Sequence, residues 1–271
     1  MSEAILEQSA AVPQSTERHE PAGGRDALRH IWTIAKREVA GFFASPVAYV
    51  FIVIFLLLSG FFTFMVGGFF ERGQANLLAF FAWHPWLYLF LVPAVGMRMW
   101  SEERRLGTIE LLLTMPITPW QAIVGKFLAS WLVLALALAL TFPVVLTVNY
   151  LGNPDNGVIL ASYFGSLLLS GTYLSIAAMT SAMTRNQVVS FILSSVICLF
   201  LILAGWPPVT NLLTQWASPW FVETVAAFSV MTHFDSIQKG VIDSRDVIFF
   251  LSVMVFCLFT TSVIIRAHRA G

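Results

Sequence analysis

The densest group of side chains able to do chemistry lies between Arg98 and Pro116, where Glu102, Glu103, Arg104, Arg105 and Glu110 stand beside Leu111, Leu112 and Leu113. Carboxylates alternating with guanidiniums, without a histidine, cysteine or activated serine among them, are suited to ion pairing rather than to bond breaking. Ser101 followed by Glu102, Glu103 and Arg104 reads as a helix start, Gly107 as a bend and Thr108 as a second start, with Pro116 and Pro119 ending the element. A short helix, charged on one side and leucine-rich on the other, fits docking against a partner at a membrane face. A solvated loop anchored by its leucines fits the same residues.

Other chemistry is missing. Gly125-Lys126 resembles the tail of a phosphate-binding loop, but Trp120 and Phe127 occupy the places that need Gly and Ser or Thr. There is no HExxH zinc motif, no serine or aspartate protease signature, and no charge deep within an apolar run. Glu223, His233, Asp235, Asp243 and Asp246 could be read as a cation site. Their spacings are irregular, however, and Asp243 with Asp246 is better explained as a helix start, so no metal site and no catalytic group are assigned. Cys198 and Cys257 sit in apolar runs and read as inert buried thiols. Thr172, Ser175, Thr180, Ser181, Ser190, Ser194 and Ser195 read first as helix-packing residues and second as substrate-facing ones.

The elements that must carry these residues are membrane helices. Of 271 residues, 58% are hydrophobic and only 11% charged, and mean hydropathy is +0.79. Soluble domains carry about 25% charge, so a water-soluble enzyme is excluded. Lys and Arg number 15, as do Asp and Glu, so there is no basic excess for nucleic acid. Residues 1–27 read as a disordered cytoplasmic tail without the apolar core of a signal peptide. Residues 28–45 form an amphipathic pattern, with Ile31, Trp32, Ala35, Val39 and Phe42 between Arg29, Lys36, Arg37 and Glu38. It reads as a helix on the membrane surface, or as one packed on the same chain.

Residues 46–271 then read as an all-α domain of six membrane spans, approximately 47–70, 83–100, 122–150, 158–183, 187–206 and 247–265. The coupling loop covers 101–121, and Lys126 is expected to snorkel at the start of the third span. Arg29, Lys36, Arg37, Arg98, Arg104, Arg105, Lys126, Arg185, Arg266 and Arg269 fall on one side, against Arg72, Lys239 and Arg245 on the other. That bias places both termini in the cytoplasm. The outer segment 207–246 is too apolar for a plain loop and reads as two short re-entrant helices at the interface. There Trp216, Trp220, Phe221 and Phe228 would form a lid over the outer end of a path.

The run E-E-R-R-x-G-T-I-E-L-L-L-T-x-P from Glu102 to Pro116, followed by Gly125-Lys126, resembles the first cytoplasmic loop of ABC-2-type transporter permeases. The likeness extends to Ala35-Lys36-Arg37-Glu38, Ser45-Pro46 with Tyr49, Pro93 with Met97-Arg98, and Thr184-Arg185-Asn186-Gln187, and is nearest the gliding-motility-associated (Gld) branch. It implies a permease subunit of an ATP-driven exporter in the inner membrane. Such a subunit pairs with a second copy or a related permease and is powered by a separate ATP-binding subunit that holds ATP and Mg. A periplasmic or external accessory protein is a further partner open to such a subunit. The implied coupling residues are Glu102, Glu103, Arg104, Arg105, Gly107, Thr108 and Glu110, with Lys36, Arg37 and Glu38. A non-transporting anchor of a motility, secretion or assembly apparatus is the alternative.

Overall fold

The computed structural model describes residues 24–71, 73–108 and 118–267, and every regular element among them is helical. Helix α1 (Gly24–Ala44) begins ahead of residue 28, because nothing in residues 25–27 breaks a helix. It is followed by α2 (Pro46–Phe61), which ends in a widened π turn over Phe62–Val66, closed by Gly67 N–H on the Phe62 carbonyl at 2.7 Å. Then come α3 (Leu78–Ala82), α4 (His84–Gly96) and α5 (Arg98–Leu106). The expected second span, 83–100, thus falls on two pieces, α4 and the start of α5, with the short α3 ahead of it. Pro85 opens α4 and Pro93 lies inside it, and α5 sets off separately at Met97.

Helix α6 (Pro119–Ala139) begins with a capping box. Thr118 Oγ1 accepts from Gln121 N–H, Gln121 Oε1 accepts from Thr118 N–H, and Pro119 stands at the first helical position. Pro119 therefore starts an element rather than ending one. At Leu140–Thr141 the helix bends into α7 (Phe142–Leu151), where Pro143 has no N–H to offer and Thr141 bonds Tyr163 Oη at 2.8 Å. Helices α8 (Asn156–Met183), α9 (Gln187–Leu203), α10 (Pro207–Leu213), α11 (Pro219–Ala227), α12 (Val230–Gln238) and α13 (Ser244–Ala267) complete the order. Three short helices, not two, fill the segment 207–246.

Among the described residues, four helices are long and apolar enough to cross a membrane: Ala48–Val66, Pro119–Leu151, Asn156–Met183 and Ser244–Ala267. Gln187–Leu203 with Pro207–Leu213, bent by 68°, makes a fifth if counted as one span. The axis of the bundle is α8, which touches α4, α5, α6, α9, α12 and α13. Its hydroxyls are buried and mostly satisfied within the helix: Thr172 and Ser175 donate to Leu168 and Thr172 carbonyls at 3.0 and 2.7 Å. Small residues let neighbours approach closely. A Cβ on Gly96 of α4 would lie 2.4 Å from Ala177 Cβ of α8. Packing, the first reading of these hydroxyls, accounts for them.

Candidate functional site

The site forms where α5 meets α1, α6 and the end of α8. Ser101 lies buried inside α5, which already begins at Arg98, so it is not a helix start. Because the chain breaks at Met97, the N–H groups at the start of α5 need acceptors from elsewhere. Ser181 of α8 supplies one: its Oγ accepts from Trp100 N–H at 2.9 Å and Ser101 N–H at 3.0 Å, and donates to the Met97 carbonyl at 2.9 Å. A turn later, Arg104 Nη1 donates to the Ala182 carbonyl at the C-terminal end of α8. Burial, and then the nearby Arg185 guanidinium, lower the Arg104 pKa from its ordinary value. Helix α5 ends at Gly107, whose φ of 71° lies in the left-handed region, with Thr108 N–H returning to the Glu103 carbonyl at 3.1 Å.

The electrostatic centre is Lys126 of α6. Its side chain is 7% exposed, and Nζ donates to Glu103 Oε1 of α5 at 2.7 Å and to the Met99 carbonyl at 3.2 Å. Glu38 Oε1 of α1 stands 3.8 Å away, and the Trp100 ring lies 5.0 Å from Nζ. Lys126 therefore does not snorkel. A carboxylate from another helix comes to it, so the ammonium stays among the helices instead of reaching for water. One buried cation ties three helices together. Beside it opens a cleft of about 430 Å³ lined by Glu38, Arg98, Glu102, Glu103, Lys126 and Ser130, among others. No group of three or more His, Cys, Asp or Glu side chains able to hold a metal occurs among the described residues.

A family profile described as "ABC-2 family transporter protein" matches residues 32–238, well over half the chain. The chain belongs to the ABC-2 transporter family. Permeases of this family normally work with an ATP-binding subunit, and the apolar helices make this member a multi-pass membrane protein. A "Probable ABC transporter permease protein NosY" from Pseudomonas aeruginosa is 31% identical over 168 residues, covering 58% of this chain and 61% of that protein. The chain thus matches less than two thirds of that relative's length.

Within this ABC-2 transporter protein, the residues read from sequence as coupling residues divide into two groups. Glu38, Glu103 and Arg104 are engaged within the chain. Glu102 is half-buried, 3.8 Å from Arg98 one turn away, while Arg105 and Thr108 are exposed. Glu102 and Glu103, read from sequence as part of a short helix or of a solvated loop, lie on helix α5, and the second of them is mostly buried. Arg37 is exposed and pairs with Glu38 at 3.2 Å, and Lys36 is exposed with Nζ 5.4 Å from the Trp32 ring. Glu110, with Leu111 to Pro116, lies outside the described residues.

At the opposite end of the bundle, Trp216, Trp220, Phe221 and Phe228 are all exposed on this chain and belong to no buried cluster. His233 there pairs with a residue that sequence reasoning gave another task. Its Nδ1 lies 2.6 Å from Asp246 Oδ1, its Nε2 3.0 Å from the Ala227 carbonyl, and its ring stacks on Phe249 at 4.1 Å. Both nitrogens face acceptors, so the ring makes both bonds only when it carries both protons. Asp243 acts as a helix-start residue, accepting from Arg245 N–H at 3.0 Å, a bond that chiefly lowers the pKa of its carboxyl, and Asp246 lies in the first turn of α13 as well as pairing with His233. Sequence reasoning gave Lys126 and Ser181 other roles and passed over the buried His84, whose Nδ1 is 3.4 Å from Ser166 Oγ. The signal for Lys126 was present: a lone cation in the first turns of an apolar helix needs a partner.

Proposed function

We propose that this chain is the permease subunit of an ATP-driven exporter, working as a dimer, with a separate ATP-binding subunit docked at the α5 end on the cytoplasmic side. The observation that carries the reading is the mounting of α5: a short charged helix held to the central helix α8 by Ser181 and Arg104, and to α1 and α6 through Lys126. Such a helix transmits displacement to the spans as a body. Its exposed Arg105, half-exposed Glu102 and the following segment with Glu110 are the contacts offered to the ATPase, whose ATP and Mg supply the chemical step. Six spans follow if α4 with its flanking pieces crosses the membrane and α9 crosses ahead of the bend to α10. The basic bias supports both termini in the cytoplasm and an inner-membrane location. The motif from Glu102 to Pro116 supports a place near the gliding-motility-associated branch. Trp216, Trp220, Phe221 and Phe228 then cap the outer end of the path against lipid or a second copy.

The test is copurification of the full chain with the ATP-binding subunit it pairs with, followed by ATPase assay in vesicles. Binding that Arg105→Glu with Glu102→Lys abolishes, and ATPase activity that candidate cargo stimulates, support the reading. A stable complex whose ATPase ignores every cargo supports a membrane scaffold instead. Cysteine labelling in intact cells that reaches position 15 and misses position 236 overturns the orientation.

A further inference from the structure

A second concavity on this protein has a different chemistry from the polar cleft at Lys126. Helices α1 and α6 touch where a Cβ on Gly125 would come within 2.8 Å of Ile34 Cγ2. Beside that contact lies a slot of about 520 Å³. Trp32, Lys36 and Ala40 of α1 line it at one-turn spacing, and Trp131, Leu132 and Ala135 of α6 form the facing wall. Trp131 is fixed there by its Nε1–H donating to the Leu167 carbonyl at 3.0 Å. Trp32, at 59% exposed, and Leu132, at 54%, stand at the slot's open edge.

We propose that this slot is a binding site for an anionic phospholipid of the adjoining leaflet, the acyl chain lying between α1 and α6 and the phosphate meeting Lys36. Two features identify the occupant. The lining is hydrocarbon and indole almost throughout, so a peptide segment there would leave its N–H and C=O groups unpaired, whereas an acyl chain has none to satisfy. The one charge at the slot is the Lys36 ammonium, held 5.4 Å from the centre of the Trp32 ring that forms the edge. An amphipathic helix with a cation beside an apolar groove matches the two halves of an anionic lipid. The volume falls within the range of about 300–1,000 Å³ typical of small-molecule sites. The lipid would wedge α1 at a fixed distance from α6, beside Glu38 on α1 and from about half a turn to two and a half turns beyond Lys126 on α6. The proposal rests on α1 lying at a membrane surface, as the proposed function has it.

The test uses the full chain in detergent micelles, titrated with phosphatidylglycerol or phosphatidylcholine carrying brominated acyl chains, with tryptophan quenching as the readout. The component from Trp32 and Trp131 is taken as the difference from Trp32→Phe and Trp131→Phe. Saturable quenching of that component is expected at an about fivefold lower mole fraction of the anionic lipid, the factor one basic residue contributes near an anionic surface. Lys36→Glu should remove the preference for the anionic lipid. Ala40→Phe with Ala135→Phe, at positions with room on their outer side, should remove saturation while leaving the helical circular dichroism unchanged. Equal, non-saturating quenching by both lipids, unaltered by Lys36→Glu, overturns the site and leaves the membrane placement of α1 intact. Absence of Trp32 quenching by either lipid overturns both.

Discussion

At the α5 end of the bundle, the bonds between elements are buried and charged. Lys126 of α6 reaches Glu103 of α5 and stands near Glu38 of α1, while Ser181 and the Ala182 carbonyl of α8 hold α5 along one side. At the opposite end, α11 and the turns on either side of it expose Trp216, Trp220, Phe221 and Phe228, and side-chain hydrogen bonds from the outer segment to the bundle include Ser229 Oγ to the Leu201 carbonyl, Ser162 Oγ to the Gln238 carbonyl, and His233 to Asp246. A buried ion pair tolerates little relative movement, because separating its members leaves uncompensated charge in a poor solvent. Exposed aromatic surface carries no such penalty and can exchange one apolar neighbour for another. Under the proposed function, the first end would transmit force and the second would make adaptable contacts.

The hardest test of that contrast is Lys126→Met, which strands Glu103 against apolar neighbours. It should destabilise the protein by roughly 3–5 kcal/mol, read as a fall in thermal midpoint of the purified chain. Adding Glu103→Leu should recover most of the loss, and a double variant no better than the single one would mean that packing, not charge, does the holding. Ser181→Ala should cost about 1–3 kcal/mol, since the Trp100 and Ser101 amides lose their shared acceptor. Those two amides should also exchange faster with deuterium, while amides of α4 remain protected. At the other end, His233→Ala should cost about 1–2 kcal/mol by freeing Asp246 and Ala227, and added divalent metal should restore nothing. Trp216→Ala and Trp220→Ala, at fully exposed positions, should change the stability of the isolated chain by less than about 0.5 kcal/mol. A large effect there would show that the outer segment is held as firmly as the inner one.

The sequence announced some of this and hid the rest for physical reasons. The long apolar runs at 122–150, 158–183 and 247–265 lie within helices long enough to span, because twenty apolar residues leave a helix few alternatives. The run at 83–100 is interrupted at Met97, where the Trp100 and Ser101 amides bond Ser181 Oγ of α8 instead of the preceding turn. Gly107 was legible as a bend because its left-handed conformation is a property of one residue. The Lys126 cluster was not, because its members come from separate elements and only folding brings them together. Ser181 was hidden further still. The amides it serves lack partners only because α5 begins at Met97, a fact of backbone geometry that no side-chain pattern records. His233 and Asp246, 13 residues apart, carried no pairing signal in the sequence, where Asp246 read as a helix-start residue; a 2.6 Å contact joins them.

The hydroxyl of Ser181 closes a small cycle with the Met97 carbonyl and the Trp100 and Ser101 amides. In mechanical terms, that cycle is a weld between a crank and its shaft. Under the proposed function, torque applied beyond Gly107, the left-handed joint at the far end of α5, would reach α8 directly through the weld. It need not pass along α4, which ends on the other side of the Met97 break. Because α8 in turn touches α4, α6, α9, α12 and α13, a push on nine residues of helix is delivered to the shaft on which the rest of the bundle is mounted.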